Sequence, residues 1–181
     1  MATMSALGYA NAFGFLTVEE VLALKKYTAT IRKNGVIVNI GAGTGTSALA
    51  IAEERPDLIP NLVTIDITAE VSPFGGLGNE RTAFNESDIK PYPVQVCCDS
   101  KKFAEFWGAP IDMLIIDGDH SYEGAAGDMK NWLPFMLNKG IVVVHDMDGK
   151  TWPEVVNAVR DVMSDWTEVE RVGRYGFFIK R

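Results

Sequence analysis

Residues 36–51 read VIVNIGAGTGTSALAI, and this stretch decides the fold. Val36 to Ile40 is a short, nearly all-apolar run rich in β-branched residues, as expected of a strand buried on both faces. Gly41, Gly43 and Gly45 follow at alternate positions, so the chain sheds its side chains directly after the strand. Ser47 to Glu54 takes helical spacing and stops before Pro56. Strand, bare turn and helix in that order open a parallel α/β sheet.

The same unit recurs outward from this point. Upstream, Thr17 to Glu20 reads as a capping box. Val21, Leu22, Leu24 and Ile31 then follow helical spacing, and Asn34-Gly35 is expected to end the helix. Downstream, Leu62–Asp66, Val94–Asp99, Met113–Asp117 and Ile141–Val144 read as further strands. Helices are expected over Lys101–Trp107, Tyr122–Leu137 with a kink at Pro134, and Pro153–Met163. Val169–Val172 and Gly176–Ile179 read as two closing strands. The pattern predicts an α/β, Rossmann-like fold: a mostly parallel central sheet, helices on both faces, and a C-terminal antiparallel strand pair. One domain is expected over residues 1–181, opened by an N-terminal helical segment at 1–34. Residues 68–93 break the rhythm with Gly75-Gly76, Gly78 and three prolines. They read as a variable insertion or lid, with a short helix near Asn79 to Phe84.

Composition narrows the partners. A formal net charge of −7 repels a phosphate backbone and an anionic membrane surface, which disfavours general nucleic-acid binding. There is no apolar run of membrane-spanning length and no signal-peptide pattern, so a cytoplasmic protein without a membrane is expected. A homodimer is left open. Cys97 and Cys98 are adjacent, which offers no redox CxxC, and both are expected to be buried and reduced. Met113, Met129, Met136 and Met163 fall on apolar stretches and are expected in the core, whereas Trp152 follows the His145-Asp146 pair, where substrate stacking is an alternative.

Ligands of such sheets sit beyond the carboxyl ends of the strands. The strand ends here carry Asp66, Asp99, Asp117 and His145-Asp146, which should therefore share one rim. A dinucleotide fingerprint needs G-x-G-x-x-G, and here the third glycine comes one place early. No Lys-Ser/Thr follows, so a P-loop is excluded. G-x-G-x-G after a first strand is the pattern of S-adenosylmethionine sites, where the backbone must approach a ligand without a phosphate. On that reading Asn39, Gly41, Ala42, Gly43, Thr44, Gly45 and Ser47 form the cofactor turn. Asp66, with Ile67 beside it, holds the ribose hydroxyls, and Asp99-Ser100 accepts from the adenine amino group.

The whole resembles the class I S-adenosylmethionine-dependent methyltransferases. The block LIIDGDHSYEGAAGDMKNWLPFMLNKGIVVVHDMD, with Asp117 to Tyr122 its most specific part, resembles methyltransferase family 24. That family is related to the cation-dependent O-methyltransferases. Asn39 stands where the family often carries an acid. The resemblance implies S-adenosyl-L-methionine as cofactor, contacted also by Asp117, and a small-molecule substrate methylated on oxygen. It further implies a divalent cation, Mg²⁺ or Mn²⁺, held by Asp117, His145 and Asp146. His145 or His120 is the expected base, titrating near neutral pH, with Asp117 counted in the catalytic group. A tRNA-modifying methyltransferase and a non-catalytic S-adenosylmethionine-binding protein are the competing readings.

Overall fold

Five parallel strands carry the sheet in the computed structural model, which describes residues 3–13 and 15–180. They are β1 (Ile37–Ile40), β2 (Leu62–Asp66), β3 (Val94–Cys97), β4 (Ile111–Ile116) and β5 (Met136–Val144). A hairpin of β6 (Trp166–Val172) and β7 (Tyr175–Lys180) completes a seven-stranded sheet of order β3-β2-β1-β4-β5-β7-β6, with β7 antiparallel to both neighbours. The helices are α1 (Ala6–Phe13), α2 (Val18–Thr28), α3 (Thr46–Glu54), α4 (Leu77–Glu86), α5 (Ser100–Ala104), α6 (Tyr122–Trp132) and α7 (Pro153–Val162). The expected 1–34 segment thus carries α1 and α2, while Met1, Ala2, Gly14 and Arg181 lie outside the described residues. Among the described residues, no helix is long and apolar enough to cross a membrane.

Strand register explains why apolar runs were needed. Ile37 pairs with Met113, and Met113 with Ile141; all three face a layer that includes Leu24 of α2 and Leu49 of α3. One residue along, Val38, Leu114 and Val142 face the opposite layer, with Met129 and Trp132 of α6 and Val159 of α7. Both faces of the central strands are dry, so both parities must be apolar. Each fully buried Ile or Leu in these rows contributes about 1.5–3 kcal/mol relative to exposure. The four methionines expected in the core are all buried.

Some boundaries move. The α2 helix ends at Thr28, not at Asn34, because Thr30 and Ile31 turn back onto the carbonyls of Tyr27 and Thr28 in tight i→i+3 bonds. Leu22 consequently faces outward, 51% exposed, while Val21, Leu24 and Ile31 are buried. Pro134 does not kink α6; it belongs to a 3₁₀ turn, Leu133–Phe135, and β5 starts at Met136. The insertion helix is longer than expected, running over Leu77–Glu86. The cysteines are not buried: β3 is an edge strand, so Cys97 is exposed and Cys98 only partly covered.

The site rim is built by the ladder itself. Each strand hands its next residue to a neighbour: Gly41 N donates to Ile65 O, Asp117 N to Ile40 O, His145 N to Ile116 O, and Cys98 N to Asp66 O. The first loop residues after β1, β3, β4 and β5 are therefore fixed as firmly as the strands.

Beneath this rim α4 inserts Glu80, fully buried, with Oε1 accepting from Gln95 Nε2 at 2.7 Å. Burial raises its pKa to about 7. A carboxyl whose folded pKa exceeds its unfolded value near 4.3 binds its proton more tightly when folded. Stability should fall as pH rises from about 4 to 7, by on the order of 2–3 kcal/mol, and stay low above that. Glu80→Gln, which keeps the shape and the Gln95 contact, should remove this slope and stabilise the protein at pH 8. Urea midpoints of both proteins from pH 5 to 8 measure it; parallel slopes would refute the assignment.

Candidate active site

The glycines of the first turn divide into two roles. Gly41 has φ +89°, and a Cβ there would lie 2.0 Å from the carbonyl oxygen of Asp117. Its bareness lets the β1 and β4 loops touch. Gly43 has φ +51° and nothing within 4 Å of where a Cβ would be. Its bareness serves open space: it lines a cavity of about 620 Å³ together with Thr44, Ser47, Asp117 and His120. Asn39 is fully buried and steers the turn through Nδ2, which donates to Gly41 O at 3.2 Å. The Ser47 hydroxyl lies 3.2 Å from that of Tyr175, tying α3 to the terminal hairpin. Ala42 N donates to Asp66 Oδ2 at 2.9 Å and Thr68 N to Asp66 Oδ1 at 2.7 Å. Those two bonds hold the Asp66 carboxylate at the rim, where it lines the large cavity and a second one of about 190 Å³.

The smaller cavity is lined by Ile67, Asp99, Ser100 and Asp128, among others. Asp99 is engaged there as the N-cap of α5, with Oδ1 accepting from Lys101 N at 2.9 Å and Lys102 N at 3.2 Å. Asp128 was not anticipated. It is buried in α6, takes a short hydrogen bond from Ser100 Oγ, and has its pKa pushed up by burial to about 6. Its signal was an acid inside an apolar helical face, between Ala125-Ala126 and Met129.

At the other end of the rim, four titratable groups converge. His145 Nδ1 lies 2.9 Å from Asp117 Oδ1, and His120 Nε2 lies 2.9 Å from Asp146 Oδ2. Asp146 can turn inward because it sits just past β5 with φ +57°, so the reversal happens at the acid itself. Arg174, from the β6–β7 turn, donates Nη1 to Asp146 Oδ1 at 2.9 Å. Its Nη2 reaches Phe15 O at 2.6 Å, and its backbone N donates to buried Glu20 Oε1 at 2.6 Å. Neither Arg174 nor this use of Glu20 was foreseen; Glu20 read only as a helix cap, which it also is. Trp152 stacks on His120, with centroids 4.8 Å apart and planes at 16°.

Electrostatics follow from this crowding. Burial disfavours the His145 imidazolium, but the charges and hydrogen bonds of Asp117 and Asp146 outweigh it and raise its pKa to about 10. Asp117 and Asp146 likewise raise His120 to about 9 against its partial burial. Burial pushes both carboxyls up, and the two histidines more than reverse this, so Asp117 and Asp146 stay ionised. The imidazoles expected to titrate near neutrality are thus held as cations well above it. Of the two, His145 is only 6% exposed, and its Nε2 has no partner. Both rings line the large cavity, His120 as the more open of the two.

A doubly wound sheet with acids at the strand ends and a bare turn over an open cavity is a Rossmann-like architecture, whose ligands bind beyond the carboxyl ends of the strands. The family model described as a methyltransferase domain matches residues 38–147. The chain belongs to that family, methyltransferase family 24 of the class I S-adenosylmethionine-dependent enzymes, and membership implies S-adenosylmethionine as the cofactor. Among solved structures, a Corynebacterium glutamicum protein superposes with TM-score 0.74 at 17% identity, covering 97% of this chain and 87% of its own. The N-methyltransferase NodS of Bradyrhizobium japonicum gives 0.65 at 16%, covering 95% and 98%. An O-methyltransferase family protein of Burkholderia thailandensis gives 0.67 at 15%, covering 97% and 59%. These likenesses are of fold. The uncharacterized protein R132 of Acanthamoeba polyphaga mimivirus is 34% identical over 56 residues, a segment spanning 30% of this chain and 25% of that protein.

The residues fit the cofactor: Gly43 leaves open the space that a side chain would fill, and Asp66 sits between the two cavities. They also make a donor set able to hold a divalent cation. One ligand atom each from Asp117, His120 and Asp146 lie within 4.8 Å of one another, and His145 Nδ1, of the expected set, lies 2.9 Å from Asp117 Oδ1 and 3.5 Å from Asp146 Oδ2.

The two glycines should separate by substitution. Both φ values are positive, so an added Cβ costs about 1–2 kcal/mol at either. Gly43→Ala should melt only slightly lower yet bind S-adenosylmethionine at least about tenfold more weakly, since its methyl enters the cavity. Gly41→Ala should lose roughly 3 kcal/mol or more in stability, because backbone blocks its methyl. Calorimetry and thermal melts measure both; equal destabilisation of the two would contradict the division.

Proposed function

We propose that this protein transfers the methyl group of S-adenosylmethionine to an oxygen of a small molecule, with divalent-cation assistance. The observation that carries this reading is the Asp117–His120–Asp146 cluster opening into the same cavity as Gly43. The cofactor supplies an electrophilic methyl on a sulfonium. The chain's own residues do the rest. Gly41 to Gly45 and Asp66 seat it, Phe15, Phe74 and Trp152 give the acceptor apolar walls, and the cluster meets the acceptor oxygen. A cation there would favour the ionised hydroxyl. Productive transfer needs the oxygen within about 3–3.5 Å of the methyl, and the glycine turn and the cluster line one cavity.

A tRNA acceptor is the competing reading, and the net charge of −7 weighs against it. A non-catalytic binding role would leave the converging acids and imidazoles without purpose. Free Cys97 and Cys98 suit the reducing setting of a cytoplasmic enzyme.

Saturable S-adenosylmethionine binding should be weakened by Asp66→Ala by about 1.5–3 kcal/mol. His120→Ala should keep that binding while slowing methyl transfer by about 10–100-fold, the loss expected when a group supporting a bound cation is removed. Incubation with a metabolite library, read by methylated masses and released S-adenosylhomocysteine, identifies the acceptor. Tighter binding of NAD than of S-adenosylmethionine would defeat the assignment.

A further inference from the structure

Each member of the Asp117–His120–Asp146 cluster is held from outside by a different partner. Asp117 Oδ1 takes His145 Nδ1 at 2.9 Å. Asp146 Oδ1 takes Arg174 Nη1 at 2.9 Å. The His120 ring lies flat against Trp152. Supports of this kind fix donor groups before an ion arrives, and they raise affinity by limiting what must be ordered on binding. They also limit the oxygen supply, because one oxygen of each carboxylate is already engaged.

The two histidines are not equivalent toward this cluster. His120 Nε2 is 2.9 Å from Asp146 Oδ2 and 3.9 Å from Asp117 Oδ1, at the cavity surface. His145 also points Nδ1 at both carboxylates, 2.9 Å from Asp117 Oδ1 and 3.5 Å from Asp146 Oδ2, but it is only 6% exposed against 34% for His120, and its Nε2 lies 3.9 Å from buried Glu20 Oε1. An ion entering from the cavity meets His120 first.

We propose that the cluster is selective for a borderline divalent transition ion, Mn²⁺ or Zn²⁺, over Mg²⁺, with His120 as its nitrogen ligand and His145 as a positioning residue for Asp117. This rests on the cation-assisted reading of the site. The selectivity follows from the donors. Mg²⁺ and Ca²⁺ take six or more oxygens, and Mg²⁺ parts with its water reluctantly. One imidazole with two carboxylates suits Mn²⁺, Fe²⁺ or Zn²⁺ better. Trp152, stacked on His120, places an indole beside the cluster, which makes occupancy visible without turnover.

The test is direct binding to the chelator-treated full chain. MnCl₂, ZnCl₂ and MgCl₂ are titrated by calorimetry, and Mn²⁺ is also followed by quenching of indole emission against a Trp152→Phe control. S-adenosylmethionine binding is measured on every variant as a check of the fold. One Mn²⁺ or Zn²⁺ per chain is expected, at least tenfold tighter than Mg²⁺, with quenching lost in Trp152→Phe. His120→Ala should abolish the preference, and His120→Asp should shift it toward Mg²⁺. His145→Ala should weaken Mn²⁺ and Mg²⁺ together without changing their ratio. Mg²⁺ binding as tight as Mn²⁺, or a preference lost in His145→Ala but kept in His120→Ala, overturns the proposal. So does an absence of ion binding; with S-adenosylmethionine still bound, that result leaves methyl transfer standing without the cation. A wild-type chain that binds neither ion nor S-adenosylmethionine removes the functional reading itself.

Discussion

The site depends on one close approach, that of Gly41 to the main chain of Asp117. A methyl at Gly41 would stand 2.0 Å from a carbonyl oxygen, so the two loops meet backbone to backbone. Parallel pairing of β1 with β4 brings them together, and Asp117 N–H, bonded to Ile40 O, locks the register. The candidate site hangs from this crossing. On one side the chain runs into Gly43 and α3, and on the other into Asp117, Gly118 and His120. The glycine turn and the Asp117–His120–Asp146 cluster are neighbours because two strands are neighbours.

The sheet was legible because burial on both faces leaves a plain record in sequence. A central strand must be apolar at every position, and Ile37 to Ile40, Ile111 to Ile116 and Ile141 to Val144 nearly are. The strand-end acids were legible for a related reason: a carboxylate directly after such a run has no place in the core. The edge was less readable. Val94 to Cys97 looks like any other strand, yet among the described residues no strand pairs with the outer side of β3, and the cysteines emerge. Helix ends were lost where local bonds rather than residue type decide them, as at Thr28 and Pro134.

The site was half legible. Asp66, Asp117, His120, His145 and Asp146 all stand at the rim, since strand ends place them there. Which histidine is the more open to the cavity could not be read, because residues past a strand end are aimed by the turn that follows, here at Asp146 with φ +57°. Arg174 carried no motif at all. It arrives from the β6–β7 turn, far along the chain, and only tertiary packing makes it a partner of Asp146. The upward shift of both imidazoles has the same origin: it is a property of four groups in one small volume, not of any residue type.

Glu20 shows how late this arrangement must come together. Its carboxylate closes the capping box of α2 on Thr17 N and also accepts Arg174 N, and Gly173 must be bare because a Cβ there would lie 2.5 Å from Glu20 Oε1. The two residues are 154 positions apart. Loop-closure entropy has to be met before contacts this far apart in sequence can form. The wall made by Phe15, Arg174 and Asp146 is therefore expected to close only after the sheet from β1 to β5 has gathered.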